Sequence, residues 1–79
     1  MKAIIKKYTY DTETAKFIGA KIVGEFGMPN GYEEKLFLTD EGKYFIYGIG
    51  GADSLYKEPE IRAIAEKAAI KWKANNNIE

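Results

Sequence analysis

The segment from Glu34 to Gly48 constrains the fold more than any other stretch of the chain. Lys35-Leu36-Phe37-Leu38-Thr39 and Lys43-Tyr44-Phe45-Ile46-Tyr47 are runs rich in strand-favouring residues, separated by Asp40-Glu41-Gly42. Glycine there supplies the positive φ that a type I turn followed by a bulge requires, so the pattern predicts a β-hairpin. Pairing Thr39 with Lys43 sets the register, with Leu38 opposite Tyr44, Phe37 opposite Phe45 and Leu36 opposite Ile46. One face then carries Leu36, Leu38, Tyr44 and Ile46, and the other carries Lys35, Phe37, Thr39, Lys43, Phe45 and Tyr47. Both faces are rich in apolar surface, which is unusual for a sheet wet on one side.

Alternation over residues 3–10 predicts strand one. Asp11-Thr12-Glu13-Thr14 offers a capping residue and early carboxylates ahead of Ala15, Phe17 and Ile18, which predicts a short helix or helical turn ending at Gly19. Residues 20–26 read as a further strand in which Gly24 marks a bulge, and residues 27–31 as a loop built on Pro29, Asn30 and Gly31. Ile61, Ile64, Ala65, Ala68, Ala69 and Trp72 fall on one stripe of period 3.6, predicting a helix from Pro59 that Asn75-Asn76-Asn77 terminates and that lies on the Leu36 face. The expected class is α+β, a single domain over residues 1–79. A small, mostly antiparallel sheet of about four strands carries a short helical turn after strand one and a C-terminal α-helix packed on one face.

The chain has no cysteine and no histidine, which excludes disulfides, Cys/His zinc sites and every Ser-His or Cys-His catalytic arrangement. Twelve basic residues balance twelve acidic ones, which argues against indiscriminate nucleic-acid binding. The apolar run after Met1-Lys2 is too short for a signal peptide, and no stretch approaches the ~18 apolar residues of a membrane span. A cytoplasmic location, with no cofactor and no membrane partner, is expected.

Candidate chemistry is sparse. Gly48-Ile49-Gly50-Gly51 follows a strand as phosphate-cradling loops do, but it lacks the G-x-G-x-x-G spacing and is followed by Asp53. Of the carboxylate pairs, Glu33 and Glu34 are adjacent on a strand and point to opposite faces, while Asp40 and Glu41 sit in a solvated turn. Ser54 has no histidine to activate it. These residues predict a protein that is not an enzyme. Lys6-Lys7-Tyr8, or Lys67, Lys71 and Lys73 with Trp72, resemble base-stacking surfaces, although tyrosine is also common in strands and Trp72 falls on the core stripe.

Charge is uneven along the chain: residues 11–60 carry five lysines against ten acids. Glu33, Glu34, Asp40, Glu41, Asp53, Glu58 and Glu60 either form a solvated surface or face a basic groove on a partner. Phe37, Phe45 and Tyr47 are either covered by strand one and the short helix or form an exposed patch of the kind that marks an interface. The docking surface expected from these residues is Glu33, Glu34, Phe37, Asp40, Glu41, Phe45 and Tyr47.

Tyr10-Asp11-Thr12-Glu13-Thr14-Ala15 with Ile18, then Gly42-Lys43-Tyr44-Phe45-Ile46-Tyr47-Gly48-Ile49-Gly50-Gly51, then Ser54, Tyr56, Ile61, Ile64, Ala69 and Trp72 carry a family resemblance over most of the chain. The chain resembles the small YDTETA proteins of phages, plasmids and other mobile elements, some of which are anti-CRISPR proteins. Two departures stand out: a short connection from Phe26 to Tyr32, and Ala65 where a helix-capping Ser or Thr is usual. The family pattern also implies a short strand from Glu60 to Ile64 and a helix from about Glu66. The resemblance implies a non-enzymatic inhibitor that binds a CRISPR-Cas effector subunit and blocks its nucleic-acid or subunit surface. The alternatives are a small nucleic-acid-binding regulator and a self-associating structural module, for which a homodimer is expected.

Overall fold

The computed structural model describes residues 1–24 and 28–76. In chain order the elements are β1 (Lys2–Ile5), β2 (Tyr8–Asp11), β3 (Lys16–Val23), β4 (Tyr32–Leu38), β5 (Tyr44–Gly50), β6 (Glu60–Ile64) and α1 (Glu66–Asn75). Strands β3-β4-β5-β6 form an antiparallel sheet in sequence order, and β1 and β2 form a separate two-stranded ribbon. The architecture is α+β, with antiparallel sheets and one C-terminal helix. No helix among the described residues is long and apolar enough to cross a membrane.

The central hairpin has the expected register: Leu38 pairs with Tyr44, Phe37 with Phe45 and Leu36 with Ile46. Gly42 takes a φ of 80°, and the Thr39 N–H donates to the Lys43 carbonyl at 2.8 Å. Alternation from this register gives the sheet two buried faces. On one, Leu36 and Ile46 pack with Ala69 and Trp72 of the helix. On the other, Phe37 and Phe45 pack with Tyr10 and Ile61 beneath the β1–β2 ribbon.

Three expectations are corrected. Strand one is two strands: Lys6, at φ 54°, turns the chain back so that Ile5 pairs with Tyr8. No helix follows strand one, and residues 12–15 form a turn. The Asp11 carboxylate does accept the Glu13 N–H at 2.9 Å, and the Ala15 N–H reaches the Asp11 carbonyl at 3.0 Å, but the chain extends at Lys16 into β3. Phe17, Ile18, Ile22 and Val23 are aromatic or β-branched and gain an edge of hydrogen bonds on β4, which outweighs a single capping signal. The bulge in β3 falls between Phe17 and Gly19, while Gly24 closes the strand at φ 73°.

The third correction is at the C-terminal end, where the helix begins at Glu66 and not at Pro59. Residues 60–64 pair with β5, and Ile61 is buried beside Phe45. A run of five residues fits period 2 and period 3.6 almost equally, and pairing with the open side of β5 decides between them. These bounds are those implied by the family pattern. The expected strand end at Phe26, the start of the 27–31 loop and Asn77 lie outside the described residues.

Candidate functional site

Glu34 is the most unusual residue of the expected docking set, because it is a carboxylate only 7% exposed on the helix-covered face of the sheet. Three donors from three different segments converge on it. Tyr56 donates its hydroxyl to Oε2, the Trp72 indole N–H donates to Oε1 at 3.2 Å, and Lys21 Nζ lies 3.1 Å from Oε1. Burial pushes the carboxyl up, but the bonds from Tyr56, Lys21 and Trp72 together outweigh it and hold Glu34 below the usual carboxylate range. Burial, and then the neighbouring Glu34 carboxylate, push the Tyr56 phenol well above its ordinary value. Every partner faces the anion, so the arrangement stabilises a fixed charge.

Tyr56 reaches Glu34 because Gly48 leaves room for it. The phenol ring lies over the Gly48 Cα, where any Cβ would collide with it. The Ser54 hydroxyl donates to the Gly51 carbonyl at 2.7 Å and accepts the Tyr56 N–H at 3.2 Å, which fixes the approach of the 51–56 loop. The glycine run 48–51 is therefore filled by Tyr56, Ser54 and Tyr32 and presents no open cradle for an anion. Sequence reading missed this node. Its legible signal was the pairing of one buried-stripe tryptophan with one carboxylate on the same sheet face.

The expected docking set is split by the structure. Phe37 is 7% and Phe45 0% exposed, stacked on each other at 5.1 Å, with Tyr10 edge-on to Phe45 at 5.4 Å. They are core residues because the β1–β2 ribbon, and not a helical turn, covers them, so an exposed Phe37–Phe45 anchor is corrected. Tyr47 is half-buried against the same cluster. Glu34 is spent internally. Glu33 is on the opposite face, 3.9 Å from Lys35 Nζ. Asp40 and Glu41 are exposed in the β4–β5 turn, seven residues or roughly 23 Å along the strand direction from Glu33. The acidic residues do not form one continuous patch.

A different apolar surface is exposed. On β3, Phe17 is 54% and Ile22 57% exposed, and Val23 is also exposed. This strand is an edge of the sheet and pairs only with β4 among the described residues. Phe17 packs edge-on to Phe37 at 5.7 Å, which anchors an otherwise exposed ring to the core. Ile22 pairs with Glu33 and Lys16 with Leu38, so the margin runs from Glu33 at one end to the Asp40–Glu41 turn at the other. Among the described residues no three Asp or Glu gather as metal ligands. No family model matches the chain, and neither a curated protein nor a solved structure matches it.

Proposed function

We propose that the protein is a non-enzymatic, protein-binding inhibitor of phage or mobile-element origin, an anti-CRISPR protein that binds a CRISPR-Cas effector subunit and blocks its nucleic-acid or subunit surface. The observation that carries the binding reading is the β3 margin: Phe17 and Ile22 lie more than half exposed on a strand edge that has no partner strand among the described residues. An exposed edge with large apolar residues is a liability in water unless a partner covers it. Lys21, the charge that would guard the middle of this edge, is drawn inward by the buried Glu34. Glu33, Asp40 and Glu41 flank the apolar margin as a polar rim, the arrangement seen around interface anchors. The anti-CRISPR part of the reading rests on the family resemblance.

The test is co-purification of the tagged chain with purified CRISPR effector complexes, before and after nuclease treatment, with light scattering of the chain alone. A stoichiometric, nuclease-resistant complex with one subunit supports the proposal. A stable dimer with no effector bound would assign the β3 margin to self-association. Capture that vanishes with nuclease would favour the nucleic-acid reading.

A further inference from the structure

A groove of about 420 Å³ separates the tip of the β1–β2 ribbon from β6, and its lining includes Lys6, Tyr8, Lys43, Arg62, Ala63 and Ile64. No acidic residue lines it among the described residues. Arg62 is paired with Glu60 on its own strand, whereas neither Lys6 nor Lys43 is in an ion pair among the described residues. The groove therefore presents a surplus of positive charge in a molecule whose formal net charge is zero.

One wall of the groove is an open strand edge. Among the described residues β6 pairs only with β5. The Thr39–Lys43 hydrogen bond makes Phe37–Phe45 the next bonded pair, so Phe45 spends its backbone groups on β4 while Tyr44 and Ile46 address β6. Ile64 and Arg62 answer them, which leaves the N–H and C=O of Ile61 and Ala63 pointing outward. Ala63 brings this donor–acceptor pair to the groove.

We propose that the groove takes an extended acidic peptide segment as an added strand on β6, its backbone pairing with Ala63 and its carboxylates meeting Lys6 and Lys43. An outward N–H and C=O on one residue match a peptide backbone, which offers both partners in return. The sugar–phosphate backbone of DNA carries acceptors but no donor along its chain, and would leave that carbonyl unanswered. The face of Tyr8 is also taken, with Lys43 Nζ 4.6 Å from the ring centroid, and is not free to stack a base. This surface is distinct from the β3 margin, and the inference does not depend on the inhibitor reading.

The experiment is fluorescence anisotropy with a labelled decapeptide of alternating Glu and Thr, against an alternating Lys and Thr decapeptide and a decathymidylate. Ala63 amide exchange is followed by NMR. Saturable binding confined to the acidic peptide, slowed exchange at Ala63 and an affinity loss of about tenfold or more in Lys43→Glu are expected. Lys6→Gly, which keeps the positive-φ turn while removing the charge, is expected to weaken binding in the same direction. Equal binding of the basic peptide, tighter binding of decathymidylate, unchanged Ala63 exchange or full affinity in a folded Lys43→Glu variant would each overturn the proposal.

Discussion

Trp72 donates its indole N–H to Glu34 Oε1 at 3.2 Å, joining the C-terminal helix to a strand 38 residues earlier in the chain. The same carboxylate holds Tyr56 and Lys21, so one side chain links α1, β3, β4 and the 51–56 loop. Glu34→Ala leaves a buried phenol and a buried indole N–H without their acceptor. A loss of about 3 kcal/mol is expected in urea unfolding, with a smaller loss for Glu34→Gln, which keeps one acceptor oxygen.

The same node sets two pH limits. Glu34 titrates below its ordinary value in the fold, so the stability it contributes is complete above about pH 4.3 and is lost as pH falls through the lowered value. Tyr56 titrates above its ordinary value, so its contribution is complete below about pH 10 and is lost as pH rises further. Thermal unfolding across pH should show Glu34→Gln flattening the acid limb and Tyr56→Phe flattening the alkaline limb.

Gly48 lies beneath the Tyr56 ring. Gly48→Ala must push the ring off Glu34, and a loss of about 2 kcal/mol is expected by chemical denaturation. Gly42→Ala meets no neighbouring atom, yet it places a Cβ at φ 80° and should cost about 1 kcal/mol.

The helix N-terminus is under-capped. Ala65 occupies the N-cap with extended backbone and makes no side-chain bond to the first turn. Ala65→Ser or Ala65→Asp is expected to stabilise the fold by about 1 kcal/mol, read as a higher urea midpoint at unchanged slope.

These effects follow from how unevenly the fold is written in the sequence. The β4–β5 hairpin is legible because Gly42 fixes the turn, and the turn fixes every later pair. The β1–β2 turn is not, because a lysine stands at φ 54° where Asn or Gly is the usual signal. Residues 11–19 carry a sound capping signal at Asp11, but local capping says nothing about the hydrogen bonds β3 gains on β4. The division of labour between Glu33 and Glu34 follows from alternation. Which of them is buried depends on where Tyr56 and Trp72 arrive, from segments more than twenty residues away.

The residues of the family resemblance have one further property in common. Tyr10 and Phe45 build the core under the ribbon, Gly48, Ser54 and Tyr56 build the approach to Glu34, and Ala69 and Trp72 seat the helix. Asp11 and Ala15 close the turn into β3. These residues thus build the fold, and binding specificity is expected to reside in the exposed residues around them.

The most direct measurement of the central claim is a CRISPR interference assay in cells, comparing the unaltered chain with Phe17→Glu and Ile22→Glu, each shown by circular dichroism to retain the fold. The account predicts that the unaltered chain suppresses interference, and that either substitution abolishes suppression and loses the effector complex. Suppression by both folded variants at full strength would contradict docking through β3, and an unaltered chain that never suppresses interference would contradict the anti-CRISPR reading.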